Sequence, residues 1–144
     1  MTKTQTGRQM CKLVRVKTNQ NRYVNVASHK KDCIATIIRA AQKCRHIDQI
    51  ILFGSALEER CTEHSDIDIA IISDIPRSKL FRDKEYDAFT RTIYLHDRNQ
   101  SYDILQFNTQ GAIEKSSAYV CKEILTKGKM IYQKGGQVAI WRPA

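Results

Sequence analysis

No apolar stretch in this chain of 144 residues is long enough to cross a bilayer. The opening MTKTQTGRQMCK has charge but no apolar segment behind it, which does not fit a secretory signal, so the expected location is cytoplasmic. The cysteines (Cys11, Cys33, Cys44, Cys61 and Cys121) are odd in number, and no two form a Cys-x-x-Cys clip. That argues against a disulfide framework and leaves them as reduced thiols that fill space. His29, His46, His64 and His96 have no paired metal spacing. Internal repeats and low-complexity tracts are missing too, and the length leaves no room for a large second domain. Acidic residues are scarce at one end: from Met1 to Ile47, eleven Lys and Arg face one acid, Asp32, giving that third a net +10 within a chain of net +9. A basic third suits either an anionic partner or a solubilising face; with no block of consecutive charges, the pattern leaves both open.

What is present is a compact alternation of helical and strand signals. Residues 1–27 read as a basic arm, disordered at first and then able to form a hairpin from KLVRVK and the run containing Tyr23, Val24 and Val26. Ser28 is placed to cap a helix reaching about Cys44, with Ile34, Ile37, Ile38 and Ala41 at helical spacing. Gln49–Phe53 and Ile67–Ile72 are short, β-branched apolar runs and read as buried strands. A helix is expected from Ser78 to about Leu95, a third strand at Tyr102–Phe107, and a helix from Thr109 or Gln110 to Thr126. Lys127-Gly128-Lys129 ends that helix, a last strand follows at Met130–Tyr132, and residues 133–144 form a tail. The order predicts an α/β (α+β) fold, a small mixed sheet flanked by helices over residues 28–132.

The chemistry concentrates in FGSALEERCTEHSDID, residues 53–68. Asp66 and Asp68 lie two apart at a strand start, so they share a face with Cα atoms about 6.6 Å apart. Two carboxylates at that reach can converge on a hard cation such as Mg²⁺, while Ile67, Ile69 and Ile71 face the core. Asp-x-Asp alone also describes an ordinary exposed strand end. The preceding Gly54-Ser55 changes the reading: Gly54 lets a phosphate approach the backbone, and Ser55 at the start of a helical turn offers N–H and hydroxyl donors. Asp103, leading the third apolar strand, is the expected third carboxylate. Cys61 reads as a loop residue, His64 as a solvent-facing one, and Tyr94, Tyr102 and Phe107 as core or site walls.

Gly-Ser, a spacer, Ser-Asp-x-Asp and a later lone Asp together resemble the signature of the DNA polymerase β-like nucleotidyltransferase superfamily, most of all its small stand-alone members, the minimal nucleotidyltransferases. The resemblance covers Ile50 to about Asp74 and Tyr102 to Phe107. It implies a polymerase β palm-like fold and a Mg²⁺-dependent transfer of a nucleoside monophosphate from an NTP, ATP first, to a hydroxyl, with loss of pyrophosphate. Gly54, Ser55 and Ser65 would then bind the nucleotide. Asp66, Asp68 and Asp103 would be catalytic and would hold two Mg²⁺, with Asp103 also placed to accept the proton of the incoming hydroxyl. The implied acceptor is a nucleic-acid end, a small molecule or a protein hydroxyl. The minimal members often act with a separately encoded helical (HEPN-type) partner in toxin–antitoxin pairs. The rival readings are a non-catalytic nucleotide-binding or antitoxin-like module, and a plain RNA-binding protein; Trp141 offers an anchor for a homodimer. Where many members carry a second Gly, this chain has Glu58-Glu59-Arg60, two acids beside the expected triphosphate.

Overall fold

The structure is a computed structural model that describes residues 11–135. The expectations for residues 1–10, for Gly136 onward and for Trp141 lie outside the described residues. Strand β1 (Leu13–Lys17) and β2 (Tyr23–Ala27) pair antiparallel as a hairpin. Then come α1 (Lys31–Ala41), β3 (Ile47–Phe53), β4 (Ile67–Ser73), α2 (Arg77–Leu80), α3 (Lys84–His96), β5 (Tyr102–Phe107), α4 (Gln110–Glu114), α5 (Tyr119–Lys127) and β6 (Lys129–Gln133). The main sheet runs β5-β4-β3-β6. Its β3 is antiparallel to both β4 and β6, while β4 and β5 are parallel, so the sheet is mixed. A parallel pair needs a crossover connection, and α2 and α3 supply it.

Alternation along the strands splits the core in two. Ile50, Leu52, Ile67, Ile69 and Ile71 pack with Ile34, Ile37 and Ile38 of α1 and with Tyr86, Phe89 and Ile93 of α3. The opposite face sends Ile51, Phe53, Ala70 and Ile72 against Ile113, Cys121 and Ile124 of α4 and α5. The hairpin belongs to the same body: Val16 and Val26 are buried in the first layer. Its turn also clasps the last strand. Asn19 donates from its side-chain amide to the Gln133 carbonyl and accepts from the Gln133 N–H at 2.9 Å.

Three helix expectations need correction. Ser28 does not cap α1. Its N–H donates to the Lys12 carbonyl at 2.8 Å and its hydroxyl meets Cys11 Sγ, so it closes the hairpin instead; Ser28–Lys30 forms a 3-10 turn and α1 ends at Ala41. The expected helix 78–95 is two helices. The Asp83 carboxylate accepts from the Tyr86 N–H at 2.8 Å and starts α3 afresh, because a capping side chain competes with helix continuation. Removing that cap in Asp83→Ala is expected to cost about 1 kcal/mol, read as a melting temperature lower by about 3 °C. The expected helix 110–126 is also broken: α4 stops at Glu114, and Ser116 Oγ accepts from the Ala118 N–H before α5 begins. Thr109 does cap α4, accepting from Ala112.

Candidate active site

Strand register gathers the three aspartates at one end of the sheet. Asp68 lies opposite Phe53 on β3 and opposite Asp103 on β5, so one level across three strands carries Phe53, Asp68 and Asp103. Asp66 stands just before β4, where the ladder between β4 and β5 begins at Ile67 and Tyr102. Asp66 and Asp103 are exposed, whereas Asp68 is half-buried. Burial first, then repulsion from Asp103 and Asp66, lifts the Asp68 carboxyl from its ordinary 3.8 to about 6, with Arg60 pulling the other way. Such mutual repulsion is what a bound cation relieves, and oxygen donors from carboxylates suit Mg²⁺, which keeps several of its waters.

Gly54 has a role that sequence reasoning did not assign. It takes φ +79°, a left-handed conformation that glycine adopts freely, and opens a 3-10 turn over Gly54–Leu57. A Cβ at this position would lie 2.2 Å from Asp68 Oδ2. The missing side chain therefore makes room for the carboxylate next door. Ser55 sits half-buried on the same turn, and its carbonyl accepts from the Glu58 N–H at 2.9 Å. The Ser65 hydroxyl accepts from the Thr62 N–H at 3.0 Å and so closes the loop that delivers Asp66.

Of the spacer acids, Glu58 has its carboxylate engaged and Glu59 is held by its backbone. Glu58 is paired with Arg60, and the Glu59 carbonyl receives the Cys11 N–H at 2.8 Å. Cys61 is buried against Cys11 and Ala27, which pins the spacer from beneath. His64 is exposed, as expected. Beside Gly54 opens a cavity of about 820 Å³ whose walls include Tyr23, Leu57, Arg60, Tyr119 and Lys127. Neither tyrosine carried a sequence signal, because it is the folding back of the hairpin and α5 that brings them to one place.

Among the described residues, the ligand-type side chains that come together as a close trio are Cys44, Asp83 and Glu85, not the three aspartates. Each member of that trio is already committed. Asp83 caps α3, Glu85 accepts from the backbone and guanidinium of Arg45, and burial raises the Cys44 thiol to about 11. The aspartates are more open, which suits a site completed by substrate oxygens.

Sequence reasoning also missed Lys30 and Gln100. Lys30 is fully buried and donates to the Glu63 carbonyl at 3.1 Å and to Gln100 Oε1 at 2.7 Å. Gln100, itself buried, donates onward to the Ser65 and Ser101 carbonyls.

The family model described as polymerase beta, nucleotidyltransferase, matches residues 35–136. No curated protein matches the chain in sequence. Two solved structures resemble it, one of a mutant of the toxin-antitoxin MntA-HpeT and one of the toxin-antitoxin with AMP-PNP. They share 16% and 18% identity with it, each with a TM-score of 0.48, and each match covers 71% of this chain and 74% of the other.

Proposed function

We propose that this chain, which belongs to the polymerase beta nucleotidyltransferase family, transfers a nucleoside monophosphate from an NTP, ATP first, to a hydroxyl acceptor. The observation that carries the reading is Asp68 lying opposite Asp103 on a parallel pair, with Asp66 two residues upstream and the side-chain-free Gly54 against the Asp68 carboxylate. Asp66, Asp68 and Asp103 would hold Mg²⁺, which when bound supplies Lewis-acid activation of the attacking oxygen and charge neutralisation of the leaving pyrophosphate. The acceptor oxygen forms its bond to the α-phosphorus as the bond to the β-phosphate oxygen breaks. Exposed Asp103 is the group assigned to take the acceptor's proton.

The cavity beside Gly54 is assigned to the base and sugar of the nucleotide, with Tyr23 and Tyr119 as stacking walls; its cations Arg60 and Lys127 are paired with Glu58 and Glu123. Base stacking on an aromatic ring contributes about 1–3 kcal/mol. Tyr119→Ala is therefore expected to raise KM for ATP about ten-fold with kcat unchanged, in initial rates measured with labelled ATP and Mg²⁺. The acceptor is proposed to be a hydroxyl on a separately encoded helical (HEPN-type) partner, and the setting cytoplasmic; no described helix is long and apolar enough to cross a membrane.

One observation favours the non-catalytic reading: the guanidinium of Arg60 is engaged by Glu58, which takes a cation from the triphosphate's surroundings. Incubation with α-labelled ATP, Mg²⁺ and a broad acceptor panel decides between the two. Label transferred to an acceptor supports the enzyme. ATP binding without transfer, left intact by Asp66→Asn, supports the binding module.

A further inference from the structure

We propose that Lys30 and Gln100 form a buried latch that positions the aspartates, with Lys30 acting as a positioning residue for the transfer site; this rests on the reading given under Proposed function. The hydrogen-bonded ladder between β4 and β5 begins at Ile67 and Tyr102 and gives no support to Asp66, one residue outside it. The segments that enter the two strands, residues 62–66 and 97–101, are loops, and loops left to themselves spread over many conformations. The latch continues the pairing where the ladder stops. Lys30 Nζ holds the Glu63 carbonyl at 3.1 Å and Gln100 Oε1 at 2.7 Å. Gln100 Nε2 then holds the Ser65 carbonyl at 3.0 Å and the Ser101 carbonyl at 2.7 Å, and the same Ser101 carbonyl receives the Ile67 N–H at 3.0 Å. One amine thus gathers the residue before Asp66 and the residue two before Asp103.

The choice of a lysine is itself informative. Burying an ammonium costs several kcal/mol unless its hydrogen bonds are met, and an apolar side chain of similar length would avoid that cost. Lys30 is 0% exposed, and among the described residues no ion pair involves it; it donates to a backbone carbonyl and an amide oxygen. Those partners belong to the two loops that carry the carboxylates.

Mn²⁺ is the probe, with binding to the full chain read from the free-ion signal in electron paramagnetic resonance. Gln100→Glu keeps the shape and gives Lys30 a carboxylate partner, but it removes both donors to Ser65 and Ser101. It sets a carboxylate oxygen against those two carbonyls, so it is expected to melt below the wild type and, at a temperature where it is fully folded, to bind Mn²⁺ about ten-fold more weakly, as loss of an outer-shell partner does. Lys30→Met is expected to weaken Mn²⁺ binding at least as much, and Gln100→Glu decides the matter if that variant fails to fold. In transfer assays Gln100→Glu is expected to lower kcat and to raise the Mg²⁺ concentration needed for half-maximal rate. Wild-type Mn²⁺ affinity in Gln100→Glu overturns the latch while the transfer reading stands. A loss of affinity that merely follows the unfolded fraction also overturns it, leaving Lys30 and Gln100 as fold residues only. If the wild type itself binds no Mn²⁺, the proposed function fails and the latch with it.

Discussion

Replacing Asp68 by Asn is expected to cut nucleotidyl transfer about a thousand-fold or more and, in the metal-free protein at pH 7, to raise the melting temperature. The two effects have one source. Burial, joined by the charges of Asp103 and Asp66, holds the Asp68 carboxyl at about 6 against an ordinary 3.8. The folded chain therefore binds this proton more tightly than the unfolded chain does. Its contribution to stability is present in full below about pH 4 and is lost as pH rises through about 6. At pH 7 the ionised carboxylate works against the fold, and an amide of the same shape relieves it. Because Asp68 is only half-buried, solvent screening reduces the expected gain to about 1 kcal/mol, or about 3 °C in melting temperature. The gain should shrink toward nothing by pH 4. Thermal melts of both proteins from pH 4 to pH 8, in the presence of a chelator, test this. An Asn variant less stable than wild type at pH 7, with a gap that acid does not change, would sink the account.

Gly54→Ala is the second large effect. The added Cβ would stand 2.2 Å from Asp68 Oδ2, and the backbone there has φ +79°, which alanine adopts only with strain. Strain of this kind costs about 1–3 kcal/mol, and the displaced carboxylate loses its place opposite Asp103. Transfer is expected to fall about a hundred-fold, by analogy with other losses of preorganised charge, with the melting temperature lower by about 3–9 °C. The two causes separate in a double-mutant cycle with Asp68→Ala, which removes the clash but not the strain. The penalty of Gly54→Ala should be smaller in that background. Strict additivity would show that Gly54 serves the backbone alone.

The sequence was most readable where apolar runs are short and sharply bounded. The strand at Tyr102–Phe107 lies where its pattern placed it, and the runs in β3 and β4 were each recognised to within two residues. That Asp66 and Asp68 stand at the start of one strand and Asp103 at the start of another followed from the same pattern. The helix breaks did not. Leu80, Tyr86, Phe89 and Ile93 are all buried, so the apolar spacing runs straight across a gap that only the side chain of Asp83 creates. Ser28 looks like a cap in any sequence, yet the hairpin claims its hydrogen bonds first. Lys30 was the least legible of all. It is one of eleven cations in the basic third, and its burial is a property of the loops that close over it.

The clasp between Asn19 and Gln133 bears on the order in which the chain folds. It joins residues 114 positions apart, so the loop it closes spans most of the described chain. Closing such a loop gains little until other contacts have already drawn its ends together. Gln133 reaches its place only when β6 pairs with β3, at the register Gln49 with Gln133. The helices and the β3–β4 pair can therefore assemble before the hairpin turn is locked, and the clasp belongs to the last stage of folding. Weakening it with Asn19→Ala should speed unfolding and leave the refolding rate nearly unchanged.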